Sequence, residues 1–213
     1  MGDPCDFRND VAVFRTPDGL LVVEIDLARY TAHRLERLIA DARSSGADRV
    51  WAHGVAVDAS IGFRRRGGYA RLEAPAPPAS VDLAPPPRTV LRELHVACFG
   101  GVWGHHELDE PDPAATYVGL REGDRWVGLC EFDGEGRWIA GPGVAAGLRT
   151  PDRYTRLVRG AAAHMERLPV VLETWGDSEE TLAAYRELGF VVAEYVPGWE
   201  LVLQPEPGSD RSR

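Results

Sequence analysis

Apolar positions along the chain alternate with period two in some stretches and recur every three or four residues in others. Val11 to Phe14 and Leu20 to Ile25 read as strands joined by the Pro17-Asp18-Gly19 turn. Thr31 caps a helix running through Arg43, with Leu35, Leu38, Ile39 and Ala42 on one face. Gly46 ends it, Val50-Trp51-Ala52 begins another strand, and Gly62-Phe63 leads into Tyr69-Ala70-Arg71-Leu72. Further on, Val90 to Phe99 is helical in pattern, and Thr116 to Leu120 and Trp126 to Phe132 are strands around Glu122-Gly123-Asp124. Asp133-Gly134-Glu135-Gly136 signals a second hairpin before an extended stretch from Arg137 to Ala146. Pro151, behind a Thr150 cap, starts a helix expected to end near Arg167.

The stretch from Val170 to Val192 is the most densely patterned. Val170, Val171 and Leu172 form a continuous apolar run suited to a strand covered on both faces. Ser178 is placed as a helix N-cap, with Glu179 and Glu180 at the positive end of the helix dipole. Leu182, Tyr185 and Leu188 share one face; Gly189 stops the helix and Phe190 resumes strand pattern. A final pair of strands is expected around a Pro197-Gly198 turn, followed by a disordered tail at 205–213.

Pro75, Pro77, Pro78, Pro85, Pro86 and Pro87 make residues 75–88 a stiff connection between a first part, 1–74, and a second, 89–204. The 213 residues suit one large or two small domains, and a hydrophobic content of 44% allows a core without disulfides. Three scattered cysteines and the lack of a signal peptide or membrane span point to a reduced, cytoplasmic setting. All 24 basic residues are arginine, which excludes a lysine nucleophile, a Schiff base and a P-loop lysine. A net charge of −9 argues against nucleic acid as a partner. No Gly-x-Ser-x-Gly, Cys-x-x-Cys or dinucleotide fingerprint occurs.

Val171-Leu172-Glu173-Thr174-Trp175, followed by Tyr185-Arg186-Glu187-Leu188-Gly189-Phe190, resembles the last third of the GCN5-related N-acetyltransferases. The order helix, three antiparallel strands, helix, strand, helix, strand over 89–204 is also theirs. Ile61-Gly62-Phe63 with Tyr69 to Leu72 echoes Leu188-Gly189-Phe190 with Trp199 to Val202, so 1–74 resembles a truncated copy of the same fold. The resemblance implies a mixed, mostly antiparallel sheet flanked by helices, in two pseudo-repeated halves. It implies acyl transfer from acetyl-CoA or a related thioester to a small amine, with Tyr185 as the general acid for the departing thiolate.

In that family, main-chain amides at a helix N-terminus hold the pyrophosphate of the donor, through Arg/Gln-x-x-Gly-x-Gly/Ala. The matching stretch is Arg149-Thr150-Pro151-Asp152-Arg153-Tyr154, behind Val144-Ala145-Ala146. Arg149 fits the first position, whereas Asp152 and Tyr154 replace the glycines and Pro151 has no N–H. Arg149, Arg153 and Arg156 are the candidate side-chain clamps in their place. The resemblance places a thioester-binding amide at Val144 to Ala146. Glu131 and Glu173 are the candidate bases or acceptor contacts. Trp103, in the loop 99–107, is a candidate wall for the amine. His105, His106 and Glu107 are adjacent, but no metal site is expected there. Two alternatives stay open: a non-catalytic binding module that has lost the donor loop, and an enzyme whose donor sits between the halves. A homodimer is compatible with the sequence.

Overall fold

The computed structural model describes residues 11–16, 19–54, 61–99, 111, 115–133 and 137–203. Contacts divide the chain into two compact units. Unit 1 comprises residues 1–68 and 196–213, and unit 2 comprises residues 69–195. Trp103, His105, His106 and Glu107, and the 205–213 tail, lie outside the described residues.

Unit 1 holds strands β1 (Val11–Arg15), β2 (Leu21–Asp26) and β3 (Arg49–His53) and helix α1 (Ala32–Ser44). It also holds the start of β4 (Arg64–Ala74) and the end of β9 (Val191–Val202). β1 and β2 are antiparallel, β2 and β3 parallel, and β3 and β9 antiparallel. The Thr31 side chain caps α1 by accepting from the Arg34 N–H. The face carrying Leu35, Leu38, Ile39 and Ala42 packs on Val23, Ile25, Val50 and Ala52. Glu200 is this unit's polar anchor, accepting from Arg49 at 2.7 Å, Trp51 Nε1 at 3.0 Å and Arg66 at 3.0 Å. Burial alone would raise its pKa, but these partners hold the carboxyl below its ordinary value.

Unit 2 holds α2 (Arg88–Phe99), β5 (Thr116–Glu122), β6 (Arg125–Phe132), β7 (Trp138–Val144) and α3 (Pro151–Ala162). β8 (Val170–Trp175) and α4 (Glu179–Glu187) complete it, with strand order β4-β8-β7-β6-β5. Only β7 and β8 pair parallel there. The fold class is thus the mixed, mostly antiparallel sheet with flanking helices that the sequence implies. Alternation puts Cys130 and Phe132 in the core shared with α3, and Leu129 in the core shared with α2. No helix among the described residues is long and apolar enough to cross a membrane.

The two units are built alike. α1 follows β2 and precedes β3, parallel to it; α3 follows β7 and precedes β8, again parallel. In each unit the strand antiparallel to the second of these comes from the other half of the sequence: β9 beside β3, and β4 beside β8. These are the strands that follow the two Gly-Phe pairs, so the sequence echo marks elements of equal rank.

The structure differs from the sequence expectation in four places. The units do not coincide with a division at 74 and 89. Residues 75–88 pack on unit 2: Ala79 O accepts from Arg159 Nε at 2.6 Å, Ala84 O accepts from the Gly119 N–H at 3.0 Å, and Leu83 lies against Gly160. A proline-rich segment keeps its carbonyl acceptors although each proline lacks a donor. β9 runs unbroken through Pro197 and Gly198, where a turn was expected, because Gly198 lets its backbone approach that of Gly67. α3 ends at Ala162, with His164 and Met165 in turns closed on Ala161 O and Ala162 O. Thr150 occupies the N-cap position of α3 without a side-chain hydrogen bond.

A Cβ at Gly68 would collide with the Val196 carbonyl oxygen, and no flexible side chain can yield there. Gly68→Ala is expected to destabilise the protein by about 2–4 kcal/mol. Gly123→Ala, at φ 59 with open space around it, is expected to cost about 1 kcal/mol. Denaturant unfolding of both variants checks the ranking, and equal costs would show that the Gly68 approach is not tight.

Candidate functional site

β7 and β8 pair over three positions only, Trp138 with Val171, Ile139 with Leu172 and Ala140 with Glu173. At the next residue β7 bulges. Glu131 of β6 faces Ala140 and Cys130 faces Pro142, so Gly141 is the extra residue, at φ 53. Beyond it β7 stays with β6, through Gly143 and Val144, while β8 stays with β4, through Thr174 and Trp175. Each strand keeps its outer neighbour and leaves its inner one. The result is an opening between Pro142–Val144 and Thr174–Trp175, with unpaired strand edges facing it.

On the face covered by α3 and α4, a buried polar cluster sits beside this opening. The Tyr185 hydroxyl donates to Asp177 Oδ2 at 3.1 Å, and the Thr174 hydroxyl donates to the same oxygen. Tyr185 is fully buried, with Tyr154 and Asp177 nearly so. Burial pushes the Asp177 carboxyl up to about 6, against the downward pull of Thr174, Tyr185 and Arg149. Burial, and then the charge of Asp177, drives the Tyr185 phenol well above its ordinary value. The same two causes raise Tyr154. Burial also raises the Cys98 thiol to about 12, with Arg149 drawing it back.

Arg149 carries the cluster's positive charge. Its Nε donates to Val144 O at 3.2 Å and its Nη2 to Cys98 O at 3.5 Å. Those carbonyls end β7 and close the last turn of α2, a helix terminus that favours a cation. The Ala145 N–H donates to Val127 O at 3.0 Å and the Ala146 N–H to Ala97 O at 3.3 Å. Arg153 donates to both oxygens of Glu122 at 2.9 Å and to Leu148 O at 2.7 Å. Arg156 stands 3.8 Å from the same carboxylate. Of the three candidate clamps, Arg149 alone lies against the opening, and it alone has no carboxylate within ion-pair distance among the described residues.

The opposite face carries the two candidate bases. Glu131, Ala140, Glu173 and Arg71 are successive cross-strand partners, so they form one row over β6, β7, β8 and β4. The Tyr69 hydroxyl hydrogen-bonds Glu173; burial first and this carboxylate second raise that phenol to about 12. Tyr185 and Tyr154 are therefore together on one side and Glu131 and Glu173 on the other, while Arg149 reaches the carbonyl of Cys98 on α2. The opening is the passage between them. Asp177 was missed as a site residue, and its signal was local: a lone acid between a strand end and the Ser178 cap. No group of His, Cys, Asp and Glu among the described residues is placed to hold a metal ion.

No protein-family model and no curated protein matches the sequence. Solved structures do. A GCN5-related N-acetyltransferase from Anabaena variabilis superposes with a TM-score of 0.51 at 9% identity, over 92% of this chain and 58% of that one. A functionally unknown conserved protein from Staphylococcus epidermidis gives 0.51 at 11% identity, covering 95% of both chains. A conserved protein of unknown function from Enterococcus faecalis, described as a probable N-acyltransferase, gives 0.51 at 9%, over 88% of this chain and 57% of that one. The likeness is one of fold, and the fold is that of the GCN5-related N-acetyltransferases.

Asp177 holds its proton more tightly folded than unfolded. Its contribution to stability is therefore fully present below about pH 4 and lost as pH rises through about 6. Relative to Asp177→Asn, the wild type should lose about 3 kcal/mol of unfolding free energy between pH 3.5 and 6.5. Denaturant titrations of both proteins across that range measure it, and a constant difference would mean that Asp177 titrates normally.

Proposed function

We propose that unit 2 is an acyl-CoA-dependent N-acyltransferase acting on a small amine, with the donor thioester entering the opening between β7 and β8. The observation that carries this reading is the Gly141 bulge. It separates two parallel strands inside a folded sheet and leaves polar strand edges, with titratable groups on both faces. A sheet with no ligand to admit gains nothing from losing those hydrogen bonds.

The amine approaches over the Glu131 and Glu173 face, where either carboxylate, or a water held by it, takes the proton as nitrogen attacks the thioester carbon. Carbon–sulfur cleavage then releases a thiolate that must be protonated. Tyr185 stays protonated at neutral pH and is the candidate donor, once its O–H turns from Asp177 toward the opening. Arg149 is the candidate partner for the donor's pyrophosphate, exchanging two long bonds to neutral carbonyls for bonds to anionic oxygens.

A second reading is favoured by Tyr154 and Pro151. A buried phenol stands where the family has glycine, and the first residue of α3 has no N–H to offer a phosphate. On that reading unit 2 is a binding module without a donor site. Calorimetric titration with acetyl-CoA and CoA separates the two. Micromolar binding, weakened about tenfold or more by Arg149→Ala, is expected of the enzyme. No heat up to millimolar donor would leave only the binding module.

Where turnover is found, by release of free thiol from acetyl-CoA across a set of amines, Tyr185→Phe should lower kcat by about 10²-fold with little change in KM. Unchanged kcat would remove Tyr185 from the chemistry.

A further inference from the structure

A groove of about 560 Å³ lies on the face that carries Glu173, over the starts of β7 and β8. Its size is that of a small-molecule site. Trp138, Leu168 and Val171 supply the apolar surface, and Trp138 and Leu168 are 44% and 56% exposed. Arg137 and Arg167 stand at the end away from the β7/β8 opening, and Arg71 and Glu173 at the end nearest to it. Asp133 is also on the wall.

The charges are not distributed as on an ordinary solvated face. Arg71 is held by Glu73 at 3.2 Å. Glu173 takes the Tyr69 hydroxyl, and it sits at the last paired position before the opening. Arg137 and Arg167 make no ion pair with any described residue. The chain has 33 acidic residues for 24 basic ones, so partners are not scarce. Two guanidiniums without an ion pair among the described residues, at one end of a concave surface floored by tryptophan and leucine, suit the anionic end of an organic molecule.

The spacing adds a second requirement. Arg137 lies three positions before Ala140, the partner of Glu173. That is about 10 Å along the sheet. We propose that this groove holds the acceptor of the acyl group. The acceptor is an amine that presents its nitrogen to Glu173, lays an apolar or aromatic body over Trp138 and Val171, and sets a carboxylate or phosphate against Arg137 and Arg167. This rests on the acyltransferase reading for the role of the ligand, but not for its chemistry.

Binding to the full chain is measured by ligand-observed NMR titration or calorimetry, without any donor. The probe is 4-(aminomethyl)benzoate, whose amine and carboxylate are held apart by a ring. The comparators are 4-(aminomethyl)benzamide, lacking the anion, and 4-methylbenzoate, lacking the amine. The benzamide should bind at least about tenfold more weakly than the probe, and the double variant Arg137→Gln, Arg167→Gln should lose the same factor. Glu173→Gln should weaken the probe while leaving 4-methylbenzoate unchanged. Unaltered melting temperatures establish that these surface variants fold. Equal binding of probe and benzamide, an unaffected double variant, or no saturable binding would overturn the assignment. If the probe binds as expected and acetyl-CoA does not, the ligand class stands and the acyltransferase reading falls. If acetyl-CoA binds and the probe does not, the enzyme stands and the groove is not its acceptor site.

Discussion

One extra residue in β7 shapes everything around the site. A strand in the middle of a sheet must satisfy neighbours on both sides, and β7 does so for only three positions toward β8. Gly141 then shifts its register against β6 while keeping that pairing intact. Glycine meets the local need, because φ 53 is costly for a residue with a Cβ. Loss of the β7–β8 ladder sets the positions of the elements that follow each strand. The loop 145–150 turns back to the α2 terminus, and Asp177 drops beneath α4 to receive Tyr185.

The same logic of shared edges governs the way the sequence is divided. A parallel pair joined through a helix leaves its second strand with an open side. Here each such side is filled from the other half of the chain, β9 for β3 and β4 for β8. That arrangement needs long strands, and β4 and β9 are the longest, at 11 and 12 residues. It also needs side chains small enough for their backbones to approach, which Gly67, Gly68 and Gly198 provide. Unit 1 is therefore not left with an open side, because β9 covers β3.

Local pattern revealed the elements, and sequence distance concealed their partners. The α1 and α4 caps, the Gly189 stop and the apolar face of α4 follow from residues within a few positions of one another, and all were readable. The exchange of β4 and β9 was not, because pairing across about 100 residues or more leaves no local periodicity. Pro197-Gly198 misled for a related reason. The dipeptide signals a turn in isolation, whereas in β9 the glycine serves the Gly67 backbone and Pro197 O accepts from the Gly54 N–H at 3.0 Å. At the site, family resemblance singled out Tyr185 and Arg149, but it carries no information on where a long side chain turns. Asp177 was marked locally only by its place between a strand end and the Ser178 cap, and its importance comes from a burial that this pattern does not report.

The arginines show how one residue type separates structure from function by bond strength. Arg153 holds a carboxylate with two bonds of 2.9 Å and a carbonyl at 2.7 Å, a bidentate geometry that a ligand displaces only at high cost. Arg149 is the same side chain four residues earlier, yet it has only two neutral acceptors at 3.2 and 3.5 Å. A dianionic phosphate offers it far more than those carbonyls do, while Arg153 already has its best partner. Among the three candidate clamps, Arg149 is thus the one without a carboxylate partner among the described residues, and Tyr154 lies close enough for its phenol to respond to that charge.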